Sequence, residues 1–181
     1  LWPEMETKAL AAHDEPEIRV AELSGLVLET ARWGVSSVDG LPWYEMPPKA
    51  AFAQAQDLLK HLGAVDGAGA ITPHGRAMAE LPLHPRLAHM VIRGRELGAG
   101  REAAEIAALL SERDGAARDA SIDVEQRLLM LRGPAKERWK QTVAQILNLL
   151  SRHPGEGQGG EIGSGVLVAL AYPDRIGRRR G

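Results

Sequence analysis

Apolar residues in this chain recur at three- and four-residue intervals far more often than they alternate, so the pattern predicts helices nearly throughout. Ile18, Leu23, Leu26, Val27 and Trp33 place one stripe on a helix that begins near Glu17, and Gly34 stops it. Ser36 to Pro48 is rich in turn residues. Pro47-Pro48 then opens a second helix bearing Ala51, Ala55, Leu58, Leu59 and Leu62, with Gly63 at its end. The next segment is too short for a helix. Ala64–Asp66 and Ala70–Thr72 flank Gly67-Ala68-Gly69, which predicts two brief strands around a glycine turn. Thr72 and Pro73 have the form of an N-cap and a first helical residue, opening a short helix that ends near Leu81.

From Pro85 onward only the helical period remains. Leu87, Met90, Val91 and Leu97 make one stripe ending at Gly98; Ile106, Leu109 and Leu110 make the next. Glu112–Ile122 reads as a polar loop, and Asp123 caps a helix that runs through Leu131 and breaks at Gly133-Pro134. Trp139, Val143, Ile146, Leu147 and Leu150 define the longest amphipathic helix. A glycine-rich loop at Pro154–Gly160 precedes a last helix with Ile162, Val166, Leu167 and Leu170, terminated by Pro173. The predicted fold is mainly α: a winged-helix unit with a short β-hairpin, the hairpin preceding the last helix, followed by a helical bundle. Its expected parts are a connector at 1–16, the winged-helix unit at 17–83, the bundle at 84–176 and the start of a further region at 177–181. Leu81, Pro82, Leu83, Pro85 and Leu87 fuse the two units as a packed domain junction, because proline-punctuated apolar residues run straight into a helix start.

With 181 residues, 44% apolar and 25% charged, the chain can bury a core of one or two small domains. The absence of cysteine excludes disulfides and thiolate metal sites. Val166–Tyr172, the longest unbroken apolar run, is too short to span a bilayer, and no charged-then-apolar leader opens the sequence, so a cytoplasmic protein with no membrane partner is expected. Leu1 at one end and Arg-Arg-Arg-Gly at the other read as cuts from a longer chain. Charge is uneven. Residues 1–90 hold 7 Lys and Arg against 12 Asp and Glu, whereas residues 91–181 hold 15 against 12, and the net of -2 carries no bulk nucleic-acid signature.

No catalytic residues are expected. The sequence has no Gly-x-x-x-x-Gly-Lys-[Ser/Thr] phosphate loop, no His-Glu-x-x-His motif, no cysteine nucleophile and no Gly-x-Ser-x-Gly elbow, and no small-molecule substrate is implied. His74, His84 and His89 lack the spacing that puts two ligands on one helical turn, so no metal site is expected and they read as surface or junction histidines. Trp33, Trp43 and Trp139 could stack bases, but Trp33 and Trp139 fall on apolar stripes and read as core. Two basic clusters remain as phosphate-binding candidates: Arg132, Lys136, Arg138 and Lys140 around Trp139, and Arg175 with Arg178, Arg179 and Arg180. The competing reading of the first is a solvated helix face.

Several separated motifs, in order, resemble the region behind the motor of DEAH-box RNA helicases. Glu17-Ile18 through Leu23-Ser24-Gly25-Leu26-Val27-Leu28-Glu29 and Trp33-Gly34, then Leu41-Pro42-Trp43 and Pro47-Pro48, are similar to the start of that family's winged-helix domain. Thr72-Pro73-His74-Gly75-Arg76-Ala77-Met78-Ala79 is similar to its Thr-x-x-Gly-Arg-x-Met-Ala segment, and Leu81–Leu87 to the entry into its ratchet-like helical domain. Leu109–Asp114, Asp123 with Arg127-Leu128, Ala169–Ile176 and Leu1-Trp2 resemble the bacterial HrpB type.

The resemblance implies an accessory fragment of an ATP-dependent RNA helicase. It implies no cofactor in this chain, ATP and Mg in the parent motor domains, and single-stranded RNA gripped together with those domains. Arg86, Arg113 and Arg175 lie in matching segments, are required by no apolar stripe, and are the expected RNA-facing residues; the alternative is that Arg113-Asp114 and Asp174-Arg175 are intramolecular ion pairs. Two other functions compete. A free-standing winged-helix regulator of duplex DNA would carry a basic recognition helix, yet Ala50–Leu62 has only Lys60 against Asp57. A protein-interaction module is the third.

Overall fold

The computed structural model describes residues 15–111, 123–133, 137–153, 155, 157 and 162–177. The predicted connector (apart from its last two residues), the 112–122 loop, most of the glycine-rich loop and the arginines at 178–180 lie outside the described residues. Helices in chain order are α1 Glu17–Val20, α2 Ser24–Arg32, α3 Lys49–His61, α4 Pro73–Ala79, α5 Pro85–Glu96, α6 Gly100–Ser111, α7 Val124–Leu131, α8 Glu137–Leu150 and α9 Ser164–Ala171, with 3-10 turns at Val38–Gly40 and Pro173–Arg175.

Glycine closes α2, α3 and α5 where the sequence places it. Gly34, Gly63 and Gly98 have φ of 83°, 69° and 83°. In each case the following amide reaches back five residues, Val35 to Thr30, Ala64 to Leu59 and Ala99 to Gly94, satisfying carbonyls that the helix end leaves open. The first predicted helix, however, is broken. Ala21 is extended, and the Glu22 carboxylate accepts from the Ser24 amide at 3.0 Å and from its hydroxyl at 2.7 Å, so α2 starts afresh instead of continuing α1.

The predicted hairpin is reduced to one antiparallel bridge, Val65 to Ile71. Asp66 holds its turn through one carboxylate oxygen, which accepts from the amides of Ala68 and Ala70, both at 2.9 Å. Thr72 then caps α4 by accepting from the Gly75 amide and donates its own hydroxyl to the Gly63 carbonyl at 2.7 Å. A Cβ on Gly75 would collide with the Ala64 carbonyl, so only glycine lets α4 lie this close to the wing.

The core is continuous. Leu23, Val27, Phe52, Leu59, Leu62 and Met78 from the first unit join Leu87, Met90, Ile106, Leu128, Ile146 and Leu167 from the second in one buried cluster. Helix α5 meets α2 and α4 on one side and α6 and α9 on the other, and α6 in turn meets α7, α8 and α9. Every residue from Ala103 to Leu109 is buried, and a Cβ on Gly94 of α5 would stand 2.6 Å from the Ala103 Cβ, so small residues let α5 and α6 approach closely.

Three stripe assignments are corrected: Trp33, Val166 and Leu97, the last of which caps the end of α5 and is 42% exposed. Trp33 is 70% exposed, because the buried line of α2 is Leu23, Val27, Leu28 and Ala31, and a residue two beyond Ala31 falls on the opposite side of the helix. Val166 is 53% exposed, since α9 buries Ser164, Leu167 and Ala171 instead. Trp139 is buried, as its stripe predicts, and donates its indole N–H to the Glu105 carbonyl at 3.3 Å.

Candidate nucleic-acid interface

At the junction Leu81, Pro85 and Leu87 are buried, Leu83 is half-buried, and Pro82 faces solvent. Pro85 starts α5 without a lost hydrogen bond, and His84 before it serves as cap through Nδ1, which accepts from the Arg86 amide at 3.3 Å. His84 Nε2 lies 2.8 Å from Glu22 and 3.3 Å from the Ser24 hydroxyl, tying the start of α5 to the start of α2. Burial pushes the Glu22 carboxyl up, but the hydrogen bonds from His84 and Ser24 outweigh it and hold the group below its ordinary value.

Arg86 points inward. Its side chain is 11% exposed, forks onto Asp174 at 2.5 and 2.8 Å, donates to the Ala171 carbonyl at 3.2 Å, and stacks over the Tyr172 ring at 5.2 Å. The hydrogen bond from Arg86 brings the Asp174 carboxyl down to about 2, and the same bond raises the guanidinium. Asp174 therefore pairs with Arg86 from 88 residues upstream rather than with its neighbour Arg175. Arg175 is exposed, and its guanidinium also lies over the Tyr172 ring, 5.5 Å from the centroid. A cleft of about 360 Å³ opens between Glu22, Ala51, Leu58 and the Arg86–Asp174 pair.

The basic cluster around Trp139 is spread over the end of α7 and the start of α8. Arg132 clamps the nearly buried Glu105 of α6 through Nε at 3.0 Å and Nη2 at 2.5 Å. Lys140 pairs with Glu137 at 3.2 Å, an exposed pair of little energetic weight. Arg138 is exposed, and Lys136 and Arg113 lie outside the described residues. Arg86 and Arg132 are thus bound to carboxylates within the fold, whereas Arg138, Lys140 and Arg175 present themselves to solvent.

His74 and His89 come together, which helical spacing along one element does not reveal. His74 Nε2 is 2.8 Å from His89 Nδ1, with the rings edge to face at 5.0 Å, because α4 and α5 pack against each other. Burial lowers both; His89, with His74 and Arg93 adding repulsion, falls to about 4. Among the described residues no group of three or more His, Cys, Asp or Glu side chains is placed to hold a metal ion. No helix among the described residues is long and apolar enough to cross a membrane.

Residues 55–83, which hold the end of α3, the wing and α4, match the helicase-associated domain (HA2), winged-helix. The chain is 36% identical over 173 residues, 94% of this chain and 20% of the relative, to the ATP-dependent RNA helicase HrpB of Escherichia coli (strain K12). It is 35% identical over 111 residues, 61% of this chain and 15% of the relative, to the probable ATP-dependent RNA helicase DHR2 of Saccharomyces cerevisiae. A crystal structure of the Escherichia coli DEAH/RHA helicase HrpB superposes with a TM-score of 0.77 and 34% identity, covering 99% of this chain and 22% of that one. These likenesses define a helicase-associated region built on a winged helix. More particularly, the chain corresponds to the C-terminal accessory region of an HrpB-type helicase, and it spans about a fifth of the length of the HrpB proteins it matches.

Proposed function

We propose that this chain is the accessory segment of a cytoplasmic ATP-dependent RNA helicase, closing a channel for single-stranded RNA and passing motor movement to the strand. In this reading residues 17–83 are the winged-helix domain, 84–176 the ratchet-like domain, and ATP and Mg belong to motor domains outside the chain. The observation that carries it is the packed junction at α5. A core shared by both units, stapled by Arg86–Asp174 and by His84–Glu22, lets a push on one unit displace the other as a single body.

The grip on RNA falls to Arg138, Lys140 and Arg175, which face solvent, together with Arg113 and Lys136, assigned on sequence alone. Arg86 and Arg132 act behind them, fixing α9 and α7 in place. The test uses a full-length helicase carrying this region. Arg138→Glu with Lys140→Glu, and separately Arg175→Glu, should each reduce the RNA stimulation of ATP hydrolysis severalfold. Stimulation equal to that of the parent in both variants refutes the assignment.

A further inference from the structure

The end of α2 and the wing enclose a notch of about 200 Å³, lined by Arg32, Gly34, Ser36, Gly69, Ile71 and Arg76. Its walls are small residues flanked by two arginines. Gly34 and Gly69 both have positive φ, 83° and 85°, and a Cβ on Gly69 would press the Ser36 Cβ at 3.1 Å, so these turns stay without side chains and the notch stays open.

The charges around it are unspent. Arg76 has no acidic partner among the described residues, and Arg32 reaches only Glu29, at 3.9 Å on the exposed face of α2. Asp66, the acid of the wing turn, has one carboxylate oxygen engaged by the Ala68 and Ala70 amides. Between Arg32 and Gly34 in the chain stands Trp33, which is 70% exposed.

We propose that Arg32, Trp33 and Arg76 form a contact for single-stranded RNA at the edge of the wing, with a base stacked on the indole and phosphates held by the two guanidiniums. An exposed indole next in the chain to Arg32, with Arg76 on the same notch, is the sequence-tolerant combination of stacking platform and positive charge that single strands use. The inference rests on the RNA-binding reading above but concerns a different surface. The notch belongs to α2, α4 and the wing, on one side of α5, whereas Arg138 and Lys140 lie on α8, which packs on α6 at the other side.

The experiment is anisotropy of a fluorescein-labelled oligouridylate titrated with the full chain over a range of salt, with ultraviolet crosslinking to map the contacted peptide. Trp33→Ala should weaken binding about tenfold, the scale of one lost base stack. Arg32→Gln with Arg76→Gln should flatten the plot of log affinity against log salt by about 1.4, the value for two phosphates on a single strand. Crosslinks should map to the peptide containing Trp33. All three side chains are exposed or half-exposed, so thermal melts of the variants should match the parent. Unchanged affinity and slope in both variants, with binding lost in Arg138→Glu with Lys140→Glu, overturns the notch contact and leaves the α8 assignment standing. No RNA binding by the parent chain also overturns it, and the ATPase test in the longer protein then decides the α8 assignment alone.

Discussion

The winged-helix unit and the helical bundle hold their shapes by different means. The first depends on individual polar atoms and bare glycines: the Thr72 cap, the Asp66 turn, the Glu22 brace at α2 and the close approach at Gly75. The second depends on helices stacked around α6, whose buried alanines admit α5, α8 and α9, with the nearly buried Glu105 held by Arg132. A structure made of specific atoms fails one atom at a time. A structure made of packed faces fails when a face is spoiled.

The sharpest way to break this contrast is at α5, which both systems share. Leu87→Asp places an unpaired charge among buried side chains and should cost about 3 kcal/mol or more, read as a lowered urea midpoint. Gly75→Val should cost about 2 kcal/mol, because the added carbons meet the Ala64 carbonyl rather than a yielding side chain. Thr72→Ala removes one cap and should cost about 1 kcal/mol in the same assay. Titration probes the packing of α4 on α5 in another way. His89 binds its proton at about 4 in the fold against 6.5 in the open chain, so stability is complete above pH 6.5 and declines as pH falls toward 4. Thermal melts across that window should show the decline in the parent and a shallower one in His74→Gln, which removes the neighbouring imidazole.

Elements announced by local chemistry were legible in the sequence. Thr72-Pro73, Asp123 and the glycines at 34, 63 and 98 place their helix ends correctly, because caps and positive-φ stops act within a few residues. Long-range partners were not legible. Nothing near Arg86 in the chain points to Asp174, and nothing near His74 points to His89; both pairings arise from how α5 packs against elements read separately. The Trp33 error has the same origin in reverse. A large apolar residue near a helix end was assigned to a stripe, and a rotation of roughly 200° from Ala31, at 100° per helical residue, takes it out of that stripe.

Helix α5 closes both cores at once, with Leu87, Ala88, Met90, Val91 and Ile92 all buried within its twelve residues. Severing the chain at residue 84 would leave one piece without its lid and the other without its floor, each exposing an apolar face to water. The two units should accordingly melt in a single two-state transition, with the α5 amides exchanging hydrogen only through global unfolding.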